Sequence, residues 1–163
     1  MSAIDDFTRQ KDFLICVDSD GCAMEDRKPF PNVKEGLHAA HVFADVAIVA
    51  DDDREAVLEE WERCALLDDV DVMCCQDVGS KTHCIAELKE KGYADRNFLM
   101  VGDAPGDQDA AAKNGVYYYP ILVRHEGESW QELIDTALDL WKNGEYAPYG
   151  AKKSQEFLEN LGG

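Results

Sequence analysis

The stretch from Phe13 to Gly21 limits the fold of this chain more than any other segment. Its first five residues are apolar and run without interruption into Asp18, and Asp20 and Gly21 follow. A short apolar run of this kind predicts a strand buried on both faces, as in a parallel sheet. Asp18 then lies at the carboxyl end of the strand, where open α/β sheets bind ligands. Two acids separated by one residue can act as nucleophile and proton shuttle, although the same pattern is also typical of a simple turn.

Four further apolar runs of strand length follow, and segments with helical periodicity alternate with them. The predicted strands cover residues 46–50, 70–75, 98–102 and 116–123, and the predicted helices cover residues 33–43, 53–66, 81–91 and 107–114. Ser129 and Glu132 form a capping-box pattern, which predicts the start of a last long helix that ends at Gly144. Strands that alternate with helices predict an α/β fold with a doubly wound, mainly parallel five-stranded sheet. Pro120 predicts that the fifth strand lies at a sheet edge.

The length of 163 residues favours a single domain over residues 1–163, because every predicted loop is too short to hold another domain. Residues 145–163 are expected to form a C-terminal tail that docks on the core through Phe157, Leu158 and Leu161. No apolar run approaches the roughly 18 residues that span a bilayer. The acidic N-terminus lacks the basic and apolar regions of a signal peptide, so we expect a cytoplasmic protein.

The chain is strongly acidic, with 34 acidic and 16 basic residues and a formal net charge of -18. This charge opposes binding to nucleic acid and to an anionic membrane, so neither is an expected partner. A phosphate would also be repelled unless a cation neutralised its site. The six cysteines form no Cys-x-x-Cys pair, which favours reduced structural thiols over a zinc site.

Acidic residues follow two of the predicted strands. Asp18 and Asp20 follow the first, Asp103 and Asp107 follow the fourth, and Lys81 begins the helix after the third. Because the carboxyl ends of parallel strands meet at one edge of a sheet, these side chains are expected to converge. Two like charges about 4 Å apart cost roughly 4 kcal/mol at an effective dielectric near 20. A set of oxygen ligands of this kind selects a hard divalent cation, so we predict Mg²⁺.

The set formed by Asp18-Ser19-Asp20-Gly21, Lys81 and Val101–Asp107 resembles the haloacid dehalogenase-like (HAD) superfamily in residue types, order and spacing. The resemblance covers nearly the whole chain and implies a Rossmann-like core with phosphohydrolase activity. It implies that Asp18 is the nucleophile that forms an aspartyl-phosphate and that Asp20 is the general acid and base. It also implies that Lys81 offsets the negative charge of the phosphoryl group and of the nucleophile. It also implies that Asp18, the Asp20 backbone carbonyl and Asp103 hold Mg²⁺, with Asp107 supporting the metal shell.

Two departures from the family pattern affect this interpretation. The family normally ends its second strand with Ser or Thr, which binds the phosphoryl oxygens, but this chain has Ala50 followed by Asp51. The chain also has no room for a cap domain, since only residues 22–32 separate the first motif from the next predicted helix. The site is then open to water and to small or macromolecular phosphorylated substrates, or it is closed by a second copy of the chain. The alternative function is a catalytically impaired member that binds a ligand or partner without turnover.

A dehalogenase or transferase that uses the same aspartate is a further alternative. Dehalogenation needs no metal ion, so the pair formed by Asp103 and Asp107 argues against it.

Overall fold

The computed structural model describes residues 3–162, and its strands form one five-stranded sheet and one small hairpin. The strands are β1 (Phe13–Asp18), β2 (Met24–Glu25), β3 (Lys28–Pro29), β4 (Ala44–Val49), β5 (Val72–Cys74), β6 (Phe98–Gly102) and β7 (Tyr117–Pro120). The large sheet has the order β5-β4-β1-β6-β7, and all four of its strand pairs are parallel. The prediction of a parallel five-stranded α/β sheet is therefore confirmed.

Strand β1 lies at the centre of the sheet, between β4 and β6. Its last residue, Asp18, pairs with Val49 of β4, and Val17 pairs with Val101 of β6. The carboxyl ends of these three strands therefore lie side by side, at the edge where the sequence predicts the site. Strand β7 is at the sheet edge, as Pro120 predicts, and it is shorter than the predicted strand over 116–123.

Most helices fall close to their predicted positions. They are α1 (Val33–His41), α2 (Arg54–Arg63), α3 (Lys81–Lys89), α4 (Pro105–Lys113), α5 (Glu126–Glu132), α6 (Leu138–Lys142) and α7 (Tyr146–Gly162). A π-helical segment, Leu133–Ala137, joins α5 to α6 into one continuous helical run. Asp53 and Ser80 cap α2 and α3 by accepting hydrogen bonds from the amides of Ala56 and His83, as aspartate and serine commonly do at a helix N-terminus.

The helices cover both faces of the sheet, which confirms the doubly wound arrangement. One core layer holds the apolar residues of α1, α2, α5 and α6 together with Tyr146 of α7, and the other holds those of α3 and α4 together with Phe157 of α7. Strand β1 contributes to both layers, because Ile15 and Val17 face the first and Leu14 and Cys16 face the second. This explains why β1 is apolar at every position from Phe13 to Val17 rather than at every second one.

Only the hairpin β2–β3 lies between β1 and α1, so no separate cap domain occurs at this point among the described residues. Helices α1 and α5 pack closely at Gly36, where an added Cβ would lie 2.7 Å from the ring of Trp130.

All six cysteines are free thiols, and five of them are buried. No helix within residues 3–162 combines the length and apolarity needed to cross a membrane.

The capping-box prediction at Ser129 is wrong. The helix begins at Glu126, and Ser129 is buried inside it rather than at its N-terminus. The Ser129 hydroxyl donates to the carbonyl oxygen of His125 (2.8 Å) and accepts from the amide of Leu122 (2.9 Å). The side chain therefore joins the helix to the chain that leaves β7, a tertiary role that a local pattern cannot reveal.

The prediction for the C-terminal tail is only partly correct. The tail forms the 17-residue helix α7, and Phe157 is fully buried against the second core layer. Leu158 and Leu161, however, are 56% and 42% exposed, so they do not dock on the core. Helical geometry turns each successive side chain by about 100°, so burial of Phe157 directs Leu158 away from the sheet.

Candidate active site

Three carboxylates converge at the carboxyl ends of β1 and β6, as the sequence predicts. One oxygen from each of Asp18, Asp103 and Asp107 lies within 4.8 Å of the other two. Asp18 is 5% exposed and Asp107 is fully buried, so water screens this acidic group only weakly. Adjacent parallel strands produce the convergence, because Asp18 ends β1 and Asp103 directly follows β6.

Asp107 links the loop after β6 to the start of α4. Its Oδ2 accepts from the amides of Asp103 (3.0 Å) and Ala104 (3.2 Å), and its Oδ1 accepts from Lys81 Nζ (2.9 Å). The side chain therefore holds the loop after β6 against the start of α4 and also contacts Lys81. Gly102 is needed here, because an added Cβ would lie 2.4 Å from the Asp107 side chain.

Lys81 is the one cation within 4 Å of these carboxylates among residues 3–162. It begins α3, and its Nζ lies 3.3 Å from Asp18 Oδ2, 2.9 Å from Asp107 Oδ1 and 3.3 Å from Asp51 Oδ2. Burial alone would lower the pKa of Lys81, but the carboxylates of Asp18, Asp107 and Asp51 outweigh burial and raise it. Lys81 therefore remains charged at neutral pH, as its predicted role requires.

The crowded acids have raised pKa values. Burial, followed by the charge of Asp107, raises the pKa of Asp18 far above its usual value, although Lys81 opposes this. Burial and the charge of Asp107 also raise the pKa of Asp103, while its hydrogen bond with Asp18 opposes the rise. One lysine thus does not compensate this group of carboxylates, and a further positive charge would stabilise their ionised forms.

The turn after β1 presents Asp20 beside this cluster. Gly21 has a φ of +79°, a backbone conformation that favours glycine. A Cβ at this position would also lie 2.4 Å from Asp103 Oδ2, so there is no room for a larger residue. The Asp20 side chain is exposed, and it lies outside the three-carboxylate group. This position is compatible with proton transfer at the rim of the site. The predicted metal contact of Asp20 concerns its backbone carbonyl and stays a prediction.

Ala50 and Asp51, which depart from the family pattern in sequence, directly follow β4. Ala50 is buried, and its amide donates to the carbonyl oxygen of Cys74 (3.0 Å), so this amide is not free for a phosphate. The Asp51 carboxylate does not turn away from the site, because it forms an ion pair with Lys81. An incoming phosphoryl group would therefore compete with Asp51 for Lys81.

Two buried tryptophans contact the turn after β1. Trp61 of α2 donates from its indole Nε1 to the Ser19 hydroxyl (2.7 Å), and Trp130 of α5 donates to the carbonyl oxygen of Cys22 (2.9 Å). Neither tryptophan has a local sequence signal that links it to the site. Their periodicity indicates only that they are core residues of their helices, and the contacts join segments that are 42 and 108 positions apart.

The residues present fit a divalent metal ion. Carboxylate oxygens are hard ligands, and three of them face a common point in a largely buried place. Their raised pKa values show that the charge is incompletely balanced by the protein itself. Histidine and cysteine, the usual ligands of softer metals, are absent from this cluster.

Comparison with known proteins agrees with the geometry. A model of the haloacid dehalogenase-like hydrolase family matches residues 11–120, a range that begins before β1 and ends with β7. No curated protein matches the chain.

Two solved structures are similar to this chain. One is the core domain of a protein described as a phosphoglycolate phosphatase from Streptococcus pneumoniae TIGR4, with 16% identity and a TM-score of 0.54 over 70% of this chain and 82% of that one. The other is the cobalt-bound deoxy-D-mannose-octulosonate 8-phosphate phosphatase from Haemophilus influenzae, with 13% identity and a TM-score of 0.43 over 86% and 95%. The first similarity shows the shared fold alone, and the second is too low to support an argument.

The family match includes both acidic strand ends and Lys81, and the structure brings these elements together around one acidic centre. The chain therefore belongs to the haloacid dehalogenase-like hydrolase family.

Proposed function

We propose that this protein is a Mg²⁺-dependent phosphohydrolase that acts through an aspartyl-phosphate on Asp18. The observation that carries the proposal is the convergence of Asp18, Asp103 and Asp107 around one point, with Lys81 in contact with two of them. Phosphoryl transfer depends mainly on positioning and on stabilisation of negative charge, and this arrangement can supply both.

In the proposed first step, an oxygen of Asp18 attacks the phosphorus atom and forms an acyl-phosphate bond while the bond to the leaving oxygen breaks. Asp20 donates a proton to that leaving oxygen. In the second step Asp20 takes a proton from water, and the resulting hydroxide attacks the phosphorus atom. Inorganic phosphate leaves, and Asp18 returns to its carboxylate form. Lys81 lies within 3.3 Å of Asp18 and offsets charge on the phosphoryl oxygens in both steps.

Asp18 and Asp103, supported by Asp107, would hold the metal ion together with the carbonyl oxygen of Asp20. When bound, Mg²⁺ supplies positive charge that offsets these carboxylates and the phosphoryl oxygens. The formal net charge of -18 makes such local compensation important for an anionic substrate.

The direct test is turnover of p-nitrophenyl phosphate by the purified full chain with Mg²⁺ and with EDTA. We expect release of p-nitrophenol only with Mg²⁺, and its restoration when Mg²⁺ is added back to the EDTA-treated protein. Equal turnover under both conditions would contradict metal dependence. If neither this ester nor a panel of alkyl phosphates is hydrolysed, the phosphohydrolase proposal is wrong.

The raised pKa values of Asp18 and Asp103 also predict how stability depends on pH. In EDTA the folded protein keeps protons that the unfolded chain releases above about pH 4, so stability should fall as pH rises.

Mg²⁺ at about 100 times its dissociation constant should add about 2.7 kcal/mol to the free energy of unfolding. For a chain of this size, the gain corresponds to a rise of about 5–10 °C in melting temperature. The rise should be larger at pH 8 than at pH 5, because protons compete with the metal.

The variant Asp103→Asn should lose most of this Mg²⁺-induced rise, because it removes one ligand charge from the cluster. Asp109→Asn is the matched control, since Asp109 lies on α4, is 58% exposed and pairs with Lys113. Differential scanning fluorimetry with and without Mg²⁺ would measure both variants. A full Mg²⁺ response in Asp103→Asn would place the metal elsewhere.

The impaired-binder alternative is favoured by one observation, the ion pair between Asp51 and Lys81 beside Ala50. Restoring the missing hydroxyl with Ala50→Ser separates the two functions. A hydrogen bond to a charged group contributes about 1.5–3 kcal/mol, so kcat/KM of a weakened enzyme should rise about tenfold or more. Ala47→Ser, which adds the same hydroxyl to the buried interior of β4, should give no such gain. No turnover in either variant would support the binding function.

A further inference from the structure

We infer that Trp61 is a positioning residue for Asp20. Its indole holds the turn between the two aspartates through the side chain of Ser19, and so sets where Asp20 can deliver its proton. This inference rests on the proposed function, because it assigns Trp61 to the protonation step of that reaction.

The contact between Trp61 and Ser19 is short and shielded from solvent. The indole Nε1 lies 2.7 Å from the Ser19 hydroxyl oxygen, Trp61 is fully buried, and Ser19 is 3% exposed. The indole N–H can only donate, so the hydroxyl oxygen is the acceptor. Since water cannot replace either partner at this depth, the hydrogen bond fixes the orientation of the Ser19 side chain.

Ser19 is also the centre of the turn. Its carbonyl oxygen accepts from the amides of Ala23 and Met24, both at 3.0 Å, and the amide of Gly21 donates to the carbonyl oxygen of Met24 at 2.7 Å. Asp18 on one side is held by the β1 ladder. The Asp20 carboxylate makes no hydrogen bond or ion pair with other residues in the described part of the chain. The location of Asp20 therefore depends on the backbone of the turn, and Trp61 anchors this turn from α2.

The surroundings of Asp20 agree with this role. A cleft of about 320 Å³ lies between the turn and α2, and its walls include Ser19 and Asp20 on one side and Asp53, Ala56 and Val57 on the other. The hydrogen bond from Trp61 thus joins the two walls of the cleft that borders the general acid. The leaving group of a phosphate ester would lie on this side of the site, beside Asp20.

The test uses the dependence of turnover on the leaving group. An alkyl phosphate such as glycerol phosphate needs its leaving oxygen protonated, whereas p-nitrophenolate leaves readily without a proton. Trp61→Phe keeps the aromatic ring and removes the donor. General acid catalysis contributes about 10²–10⁴-fold, so at saturating Mg²⁺ a misplaced Asp20 should lower kcat/KM for glycerol phosphate about tenfold or more. The kcat/KM for p-nitrophenyl phosphate should change less than about twofold, because kcat/KM reports only the steps up to release of the leaving group and excludes the later attack by water.

Ser19→Ala provides a second test, because it removes the acceptor instead of the donor. The double variant should be no worse than either single variant, since both break the same contact. Trp141→Phe is the matched control. Trp141 is equally buried and donates its indole N–H to the carbonyl oxygen of Arg96 (3.1 Å), so its loss should not change the leaving-group dependence. Equal losses of kcat/KM for both esters in Trp61→Phe would overturn the inference and leave a purely structural role.

Amide hydrogen exchange separates this inference from the proposed function. In Trp61→Phe, the amides of Ala23 and Met24 should exchange about tenfold faster, while those of β1 and β6 should keep their wild-type rates. If the wild-type protein hydrolyses no phosphate ester, the proposed function fails, yet this measurement still decides whether Trp61 holds the turn. Unchanged exchange at Ala23 and Met24 would overturn the anchoring of the turn even in an active enzyme.

Discussion

Replacing Asp18 by asparagine is expected to reduce turnover by about 10⁴-fold or more, because the proposed nucleophile is lost and removal of a nucleophile can cost about 10⁶-fold in other enzymes. Stability should change in the opposite direction. Asp18 is a buried carboxylate whose pKa is raised by burial and by Asp107, so the neutral amide removes an unfavourable charge in the metal-free protein. Phosphate-ester hydrolysis and thermal melting in EDTA would measure the two effects together.

Asp45→Asn is the matched control for this variant. Asp45 is 1% exposed and accepts from the amides of Gln10 and Lys11 and from the hydroxyl of Tyr93, away from the acidic cluster. Its replacement should lower the melting temperature and leave the turnover of the folded protein unchanged. If Asp18→Asn kept wild-type turnover, covalent catalysis by Asp18 would be refuted, whatever its effect on stability.

Replacing Lys81 by methionine is expected to lower turnover by about 10²–10³-fold, because a charge positioned against the phosphoryl group is lost. The same change leaves Asp18 and Asp107 without their cation. Removing one partner of a buried ion pair lowers the free energy of unfolding by about 3–5 kcal/mol. Because the Lys81 side chain is 17% exposed, we expect its removal to cost an amount near the lower end of this range. The destabilisation in EDTA should be smaller at pH 5 than at pH 8, since protonated carboxylates no longer need a counter-charge.

Lys89→Met is the control, because Lys89 lies on the same helix, is 27% exposed and pairs with Asp95. This variant should keep wild-type turnover and show no more than a small loss of stability. Chemical unfolding at both pH values would give the free energies of unfolding. A loss in Lys81→Met that is equal at pH 5 and pH 8 would show that Lys81 acts through packing rather than through charge.

Local signals in the sequence were sufficient to predict a structural element where a single physical effect determined it. The uninterrupted apolar run before Asp18 predicted a strand buried on both faces, and β1 contributes to both core layers. Ser80 and Asp53 precede helical patterns and cap their helices, because a cap needs only residues within one turn.

Local signals failed where a partner from another part of the chain decided the outcome. Ser129 has a correct capping-box spacing, but it joins His125 and the exit of β7 inside the helix instead. Leu158 and Leu161 are as apolar as docking residues, yet Leu158 points away from the face of α7 that carries Phe157, and Leu161, although on that face, lies in the last turn of the helix. Secondary-structure propensity and hydrophobic periodicity indicate which local structures a segment can adopt, and tertiary packing selects one of these structures.

The sequence by itself determined the parallel α/β architecture and the convergence of Asp18, Asp103, Asp107 and Lys81, because buried strands and acidic strand ends leave strong patterns over a few positions. Only the tertiary structure decided how those residues are connected. It placed the Asp51 carboxylate against Lys81 and the indole of Trp61 on Ser19, and it left Asp20 at the rim with only the turn to hold it. Such contacts depend on distances between segments that are remote in the chain, and no spacing within the sequence encodes them.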